Sequence, residues 1–261
     1  MTFARKLVNN LSAWAIATLF LLVALVVSTS TLVAIDRAHE TQTLKALVES
    51  QDVPISRLAV HSARPSALWI GDSFTQGPAA YPRIVCAELG WYCNIDAQGS
   101  TGYLNAGAPE MQVPTKRFID RLPASIQTYK ADVIIVDGGR NDFPVDLDLL
   151  MEAIRTYIAA LHEAWPDAKL VIIVPFFMQA ASPSDDSDLI SGISAIAKSF
   201  GAKVLNPYAE KWFVGADIDA MQIEDHVHPN ALGNSYIAAK LEESLELAQI
   251  ITPGSSNGGL G

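Results

Sequence analysis

The sequence is poor in cysteine and in positive charge, and each shortage excludes a class of protein. Two cysteines among 261 residues cannot build a disulfide-dense scaffold, and on their own they cannot form a four-cysteine zinc site. The 18 basic side chains are outnumbered by 28 acidic ones, which gives a net charge of −10. Because phosphates repel an acidic chain, we expect neither nucleic acid nor anionic lipid headgroups as its main partner.

The signatures of nucleotide and metal cofactors are also missing. Gly99 and Gly102 are not followed by the Gly-Lys-Ser/Thr of a phosphate loop, and the sequence contains no dinucleotide fingerprint. Residues 225–228 (Asp-His-Val-His) have the His-x-His spacing of some zinc sites, but no further cluster of ligands accompanies them. We therefore expect a protein without metal or cofactor. Half of the residues are hydrophobic, which provides for a buried core and excludes wholesale disorder.

A long apolar segment lies near the N-terminus. Residues 11–35 contain no charge and 19 apolar side chains, and a helix of this length, about 37 Å, crosses a hydrocarbon core of about 30 Å. Arg5 and Lys6 precede it, so the positive-inside rule predicts a cytoplasmic N-terminus and an exported remainder. A cleaved signal peptide is the alternative. Its apolar region is usually only about 7–15 residues long, and Leu32 would occupy the small-residue position of a cleavage site after Ala34, so we favour a retained anchor.

The rest of the chain alternates between short apolar runs and helix-like stretches, which predicts a parallel sheet in a three-layer α/β/α domain. The apolar runs lie at 67–71, 92–97, 132–137, 169–177 and 203–207. The helix-like stretches lie at about 79–90, 114–129, 146–164, 186–200 and 230–248. The predicted parts are an anchor at 1–35, a stalk and linker at 36–66, the domain at 67–250 and a disordered tail at 251–261.

Residues that could take part in catalysis follow the predicted strands, at the edge where open α/β sheets bind their ligands. Ser73 follows the first run, Gly99 the second and Asn141 the third, while Asp225 and His228 precede the last helix. A serine hydroxyl needs an adjacent base, which a histidine supplies when a carboxylate orients it. Hydrolysis of an ester also needs hydrogen-bond donors to an oxyanion. The backbone amides of Ser73 and Gly99 and the side-chain amide of Asn141 are candidates.

Four motifs, in this order, resemble those of the SGNH hydrolase family, often called GDSL esterases and lipases. The motifs are Gly71-Asp72-Ser73-Phe74 with Phe in place of the commoner Leu, Gly99 in a Gly-Ser-Thr-Gly-Tyr context, Gly139-Arg140-Asn141-Asp142, and Asp-x-x-His-Pro at residues 225–229. The resemblance covers about residues 67–248. Each motif is weak alone, whereas four ordered motifs at strand ends are specific.

The resemblance implies a catalytic triad on a flavodoxin-like sheet of strand order 2-1-3-4-5. Ser73 would be the nucleophile, His228 the base and Asp225 the acid that orients it. Ser73, Gly99 and Asn141 would form the oxyanion hole. We expect an extracytoplasmic, membrane-anchored serine hydrolase, monomeric, that cleaves a lipid ester or an acetylated glycan through an acyl-enzyme.

Several alternatives stay open at this point. Gly102 replaces Gly99 in the oxyanion hole if the loop has a different register. A non-catalytic module that binds an envelope polymer or glycan, and an acyltransferase with the same triad, are the alternative functions. The aromatic residues Phe74, Tyr103 and Phe143 predict an apolar or sugar-stacking wall at the rim of the site.

The two cysteines lie seven positions apart, Cys86 in the first predicted helix and Cys93 at the start of the second predicted strand. In an exported protein this spacing favours a disulfide that closes the helix-to-strand connection. Two small buried thiols are the alternative.

Overall fold

A computed structural model describes residues 64–108, 113–143, 145–181 and 187–251. The predicted anchor, almost all of the predicted stalk and nearly all of the predicted tail lie outside these residues. The strands are β1 (Ser66–Gly71), β2 (Tyr92–Ala97), β3 (Val133–Asp137), β4 (Lys169–Ile173) and β5 (Lys203–Leu205). The helices are α1 (Tyr81–Glu88), α2 (Phe118–Thr128), α3 (Leu147–Ala164), α4 (Ser187–Ser199), α5 (Ile218–Met221) and α6 (Ala231–Leu247).

The five strands form one parallel sheet in the order β2-β1-β3-β4-β5. Within it, Trp69 of β1 pairs with Ile95 of β2 on one side and with Ile135 of β3, the middle strand, on the other. The three-layer architecture and the strand order 2-1-3-4-5 are thereby confirmed. This order brings the loops after β1, β2 and β3 together at one edge of the sheet.

Alternate residues of the three inner strands β1, β3 and β4 enter opposite cores, as the period of two requires. Trp69 and Ile135 belong to a core that α1 and α6 cover, whereas Ile70 and Val136 belong to a core beneath α2, α3 and α4. Because both faces are covered, the central strands read as continuous apolar runs without polar alternation.

Two features of the connections differ from the prediction. The apolar run at 169–177 was predicted as strand throughout, but β4 ends at Ile173. Val174 and Phe176 remain fully buried beyond that point, so hydrophobicity continues after the strand pairing has ended. The short helix α5 was not predicted, because four residues are too few to show helical periodicity.

A disulfide joins Cys86 of α1 to Cys93 of β2, with the two Cα atoms 5.6 Å apart. The predicted pairing is confirmed. It connects the first helix to the edge strand of the sheet.

None of the helices in the described ranges is both long and apolar enough to cross a membrane.

Candidate active site

Ser73 lies in a tight turn directly after β1. The carboxylate of Asp72 accepts a hydrogen bond from the amide of Phe74 at 3.0 Å, and the Asp72 carbonyl accepts one from the Thr75 hydroxyl at 3.0 Å. Asp72, Phe74 and Thr75 are all buried, whereas Ser73 is half-buried. The turn therefore anchors its neighbours in the core and leaves the serine hydroxyl within reach of the surface.

Asp225 and His228 lie on one short loop before α6. Asp225 Oδ1 accepts hydrogen bonds from the amides of Val227 and His228, both at 2.9 Å. His226 adopts a φ of 55°, the left-handed conformation that lets the chain turn so tightly between them. The side chain of Asn230 then caps α6 by accepting from the amide of Gly233 at 3.1 Å, which holds the loop at the helix N-terminus.

The tertiary fold connects this loop to the serine. His228 Nδ1 lies 2.6 Å from Asp225 Oδ2, and His228 Nε2 lies 2.8 Å from Ser73 Oγ. Hydrogen bonds from the His228 amide and imidazole and from the Val227 amide lower the pKa of Asp225 to about 2, so its carboxylate accepts only. Nδ1 then carries the proton, and Nε2 of the neutral ring is free to accept the serine proton.

The ring of Phe74 supports the imidazole from the core side. Its centroid lies 5.4 Å from that of His228, and Phe74 itself is buried. Tyr103 is buried as well and packs edge-on against Phe118, so neither ring forms a rim wall. That prediction was wrong for Phe74 and Tyr103, because a residue next to a catalytic position in sequence can point into the core. Phe143 alone of the three is exposed, at 47%.

Gly99 approaches the nucleophile closely. A methyl group built on Gly99 would lie 3.8 Å from the Cβ of Ser73 and 3.1 Å from the amide oxygen of the Gln76 side chain. The next residue, Ser100, has a φ of 60°, so the loop is tightly turned at this point. The amides of Ser73 and Gly99 donate to no acceptor among the described residues, which leaves both N–H groups available to a substrate oxygen.

Gly102 has a different environment. Its amide donates to the carbonyl of Asn105 at 2.9 Å, and a methyl group built on it would lie 2.2 Å from Asp142. Gly102 is therefore required for packing against Asp142, and its N–H is already occupied.

Asn141 faces the same loop from the connection after β3. Its side-chain nitrogen donates one hydrogen bond to the carbonyl of Thr101 at 3.0 Å, and its second N–H has no acceptor within the part of the chain that the structure describes. The side chain of Asn105 donates to the Asn141 carbonyl at 2.7 Å. The neighbouring Asp142 accepts from the amides of residues 103, 104 and 105 at 2.8 to 2.9 Å. The Asn-Asp pair thus holds the loop after β2 against the loop after β3.

Sequence reasoning missed a buried ionic cluster beneath Ser73. It contains Asp72, Asp137 and Arg140, joined by ion pairs, together with the hydroxyl of Tyr81. Two signals in the sequence point to it: an aspartate closes the apolar strand β3, and an arginine separates Gly139 from Asn141. Neither signal identifies Asp72 and Tyr81 as partners, because these come from the turn after β1 and from α1.

No group of three or more His, Cys, Asp or Glu side chains within the described ranges is arranged to hold a metal ion. A cavity of about 360 Å³ lies between β2 and α2, and residues such as Asp96, Lys116 and Arg121 line it. Its lining includes none of the five residues predicted for the triad and the oxyanion hole.

The family model of the GDSL-like lipase/acylhydrolase family matches residues 69–236, more than half of the chain. A protein named GDSL lipase from Mycobacterium tuberculosis is 29% identical over 188 residues, which cover 66% of this chain and 78% of that protein.

Solved structures share the fold. A family two carbohydrate esterase from Clostridium thermocellum, in complex with cellohexaose, has a TM-score of 0.56 and 17% identity over 71% of this chain and 64% of its own. A carbohydrate acetylesterase from Sinorhizobium meliloti has a TM-score of 0.54 and 14% identity over 72% of this chain and 100% of its own. At such identities the likeness shows the fold alone.

The family match spans the strand ends that carry the serine, the glycine and the asparagine, and it includes the histidine loop. The chain therefore belongs to the GDSL-like lipase/acylhydrolase family and is an ester hydrolase of the SGNH type.

Proposed function

We propose that the protein cleaves carboxylic esters through a covalent acyl-enzyme on Ser73. The observation that carries this proposal is the continuous contact from Asp225 through His228 to Ser73 Oγ, with distances of 2.6 and 2.8 Å. A serine hydroxyl becomes an effective nucleophile when such a base stands within hydrogen-bond distance.

In the first half-reaction, Ser73 Oγ attacks the ester carbonyl while its proton passes to His228 Nε2. The carboxylate of Asp225 stabilises the resulting imidazolium through the Nδ1–H hydrogen bond. Collapse of the tetrahedral intermediate breaks the bond to the alcohol oxygen, and the imidazolium donates its proton to that leaving group. Water then attacks the acyl-enzyme with His228 as base, which releases the acid and restores Ser73.

The negative charge of each tetrahedral intermediate falls on the former carbonyl oxygen. The amides of Ser73 and Gly99 and the free N–H of Asn141 are the donors that we assign to it. Donors held in place before the reaction stabilise this charge without reorganisation. The hydrogen bond from Asn141 to Thr101 supports this role, because it fixes the amide plane of the side chain.

We propose a lipid ester or an acetylated glycan as the substrate, at the outer side of a membrane. The uncharged segment 11–35, preceded by Arg5 and Lys6, supports an anchor that places the domain outside the cytoplasm. Two relatives in fold are named as carbohydrate esterases and one relative in sequence as a lipase, which supports both classes of substrate.

Replacing Ser73 by alanine tests the chemistry. We expect the Ser73→Ala variant to lose turnover of a short-chain nitrophenyl ester and to lose labelling by a fluorophosphonate probe, since no nucleophile remains. Ser235→Ala is the matched control, because Ser235 lies at an exposed position of α6 and its hydroxyl donates to the carbonyl of Ala231 in the same helix. Labelling of Ser73→Ala at the wild-type rate would contradict the assignment.

A panel of nitrophenyl esters that differ in acyl length, followed by acetylated oligosaccharides, then separates the two classes of substrate. A preference for acetyl over longer chains supports a glycan esterase, and the opposite preference supports a lipid esterase.

A further inference from the structure

Arg140 lies in the interior directly beneath the turn that carries Ser73. Burial of a charged side chain at such a position costs free energy. Its side chain is 2% exposed, and those of Asp72 and Asp137 are fully buried. Its Nη1 lies 2.9 Å from Asp72 Oδ2, its Nη2 is paired with Asp137, and its Nε donates to the carbonyl of Phe176 at 2.7 Å. The guanidinium therefore has a partner at each of its three nitrogens.

Burial of this cluster costs free energy, because three charged groups lose their contact with water. Two carboxylates share one guanidinium out of contact with water, and the hydroxyl of Tyr81 donates to Asp137 as an additional partner. Burial raises the pKa of Asp137, and the charge of Arg140 opposes that rise. Buried ion pairs often add no net stability over apolar side chains of similar size, so the position of this one is informative.

Arg140 contacts the residues on both sides of the nucleophile. Asp72, its ion-pair partner, directly precedes Ser73. Phe74 directly follows Ser73, and the guanidinium carbon lies 4.3 Å from the centroid of its ring. Arg140 also directly precedes Asn141 in the chain, so one side chain connects the turn after β1 to the loop after β3.

The contacts extend to the base. The ring of Phe74 contacts His228 as well as Arg140, with its centroid 5.4 Å from that of the imidazole. A cation over an aromatic ring is attracted to it, and the attraction is stronger away from water. The position of Phe74, and with it one wall of the His228 site, therefore depends on the guanidinium.

We propose that Arg140 is a positioning residue for the reaction: it holds the Asp72-Ser73-Phe74 turn so that Ser73 Oγ meets both His228 and the oxyanion donors. The proposal rests on the function proposed above. Arg140 touches no substrate and moves no proton. It acts through Asp72 and Phe74.

The test is Arg140→Lys, which keeps one positive charge between the two aspartates. A lysine lacks the planar guanidinium and cannot contact Asp72, Asp137 and the Phe176 carbonyl together. We expect kcat to fall about 10- to 100-fold with KM within about twofold of wild type, because misplacement of the nucleophile lowers reactivity more than binding. The rate constant of fluorophosphonate labelling should fall by a similar factor.

Active-site titration separates this effect from loss of folded protein. The fluorophosphonate reacted to completion counts competent Ser73 residues, and kcat is expressed per titrated site. Leu161→Ala is the control for stability, since Leu161 is a fully buried core residue in the last turn of α3, away from the site. It should lower Tm and leave kcat per titrated site unchanged.

A second variant keeps the proposal testable if Arg140→Lys does not fold. Asp72→Asn retains an oxygen for the Phe74 amide but removes the charge that pairs with Arg140, so it should also lower kcat per site. If both variants fold, the effect of the double variant should be smaller than the product of the single effects, because the two residues act as one unit.

Wild-type kcat per titrated site in Arg140→Lys, or in Asp72→Asn where only that variant folds, would overturn the proposal. Failure of the proposed function gives a different result, because Ser73→Ala would then be labelled like the wild type. The two failures are thus distinguishable.

Discussion

At the scale of single residues, Asn141 serves two purposes with one amide group. One N–H holds the carbonyl of Thr101, and the other is available to the oxyanion. Gly99 and Gly102 have different roles in their loop. The amide of Gly102 donates to the carbonyl of Asn105, whereas the amide of Gly99 has no acceptor among the described residues. The free amide supports Gly99 as the oxyanion donor of the pair.

Replacing Asn141 by alanine should lower kcat about 10²- to 10³-fold, as the removal of other oxyanion donors does. Labelling by a fluorophosphonate should persist, because Ser73 and His228 are intact. The control is Asn105→Ala, which removes the hydrogen bond to the Asn141 carbonyl and leaves the side-chain N–H groups in place. Unchanged turnover of Asn141→Ala would exclude this side chain from the oxyanion hole.

The residues of the site were predictable to the extent that they follow strands. Ser73, Gly99 and Asn141 could be assigned to one edge because parallel strands end together. The cluster around Arg140 could not be assigned, because Asp72 is distant in sequence, in the turn after β1, and the burial of a charged residue cannot be predicted from a single position. The direction of the Phe74 ring could not be predicted either, because it depends on the geometry of the turn after β1.

At the scale of elements, hydrophobic periodicity located all five strands and the five longer helices to within a few residues. It placed the end of β4 too late, because buried residues after Ile173 are as apolar as the strand itself. The pairing of Cys86 with Cys93 was predictable because a loop of this length brings a helix end back to the sheet.

The disulfide should contribute about 2–3 kcal/mol to the free energy of unfolding, the amount expected for closing a loop of about eight residues. In a domain of this size that corresponds to a decrease in Tm of about 5–10 °C in the Cys86→Ala/Cys93→Ala variant. Activity at 25 °C should be retained, since the bond includes no residue of the site.

Thermal unfolding of the wild type and of this double variant, each with and without a phosphine reductant, measures the contribution. The reductant should lower the Tm of the wild type and leave that of the variant unchanged. A wild-type Tm that does not respond to complete reduction would contradict the expected stabilisation.

At the scale of the whole molecule, the apolar segment 11–35 and the basic pair Arg5 and Lys6 before it predict a protein attached to a membrane by its N-terminus. The full chain, expressed in a bacterial host, should stay in the membrane fraction after an alkaline carbonate wash. A chain that starts at residue 36 should be soluble and hydrolyse the same nitrophenyl ester with similar kcat.

The intact mass of the expressed protein decides between anchor and signal peptide. A retained anchor leaves the N-terminal segment in the mass, whereas cleavage removes about 35 residues and releases the protein from the membrane. Recovery of such a shortened, soluble protein would refute the anchor.

Asp225 and His228 lie on the same loop before α6, so the acid and the base are positioned together. Acid and base are joined by local hydrogen bonds, whereas the contact of His228 with Ser73 spans a long sequence separation. That contact depends on α6, which is linked to α1 by the hydrogen bond from the Tyr81 amide to Asn234 at 2.9 Å. Because α6 also covers one core through Ile237, Leu241 and Leu245, the packing of this helix on the sheet sets the position of the base and its acid as one unit.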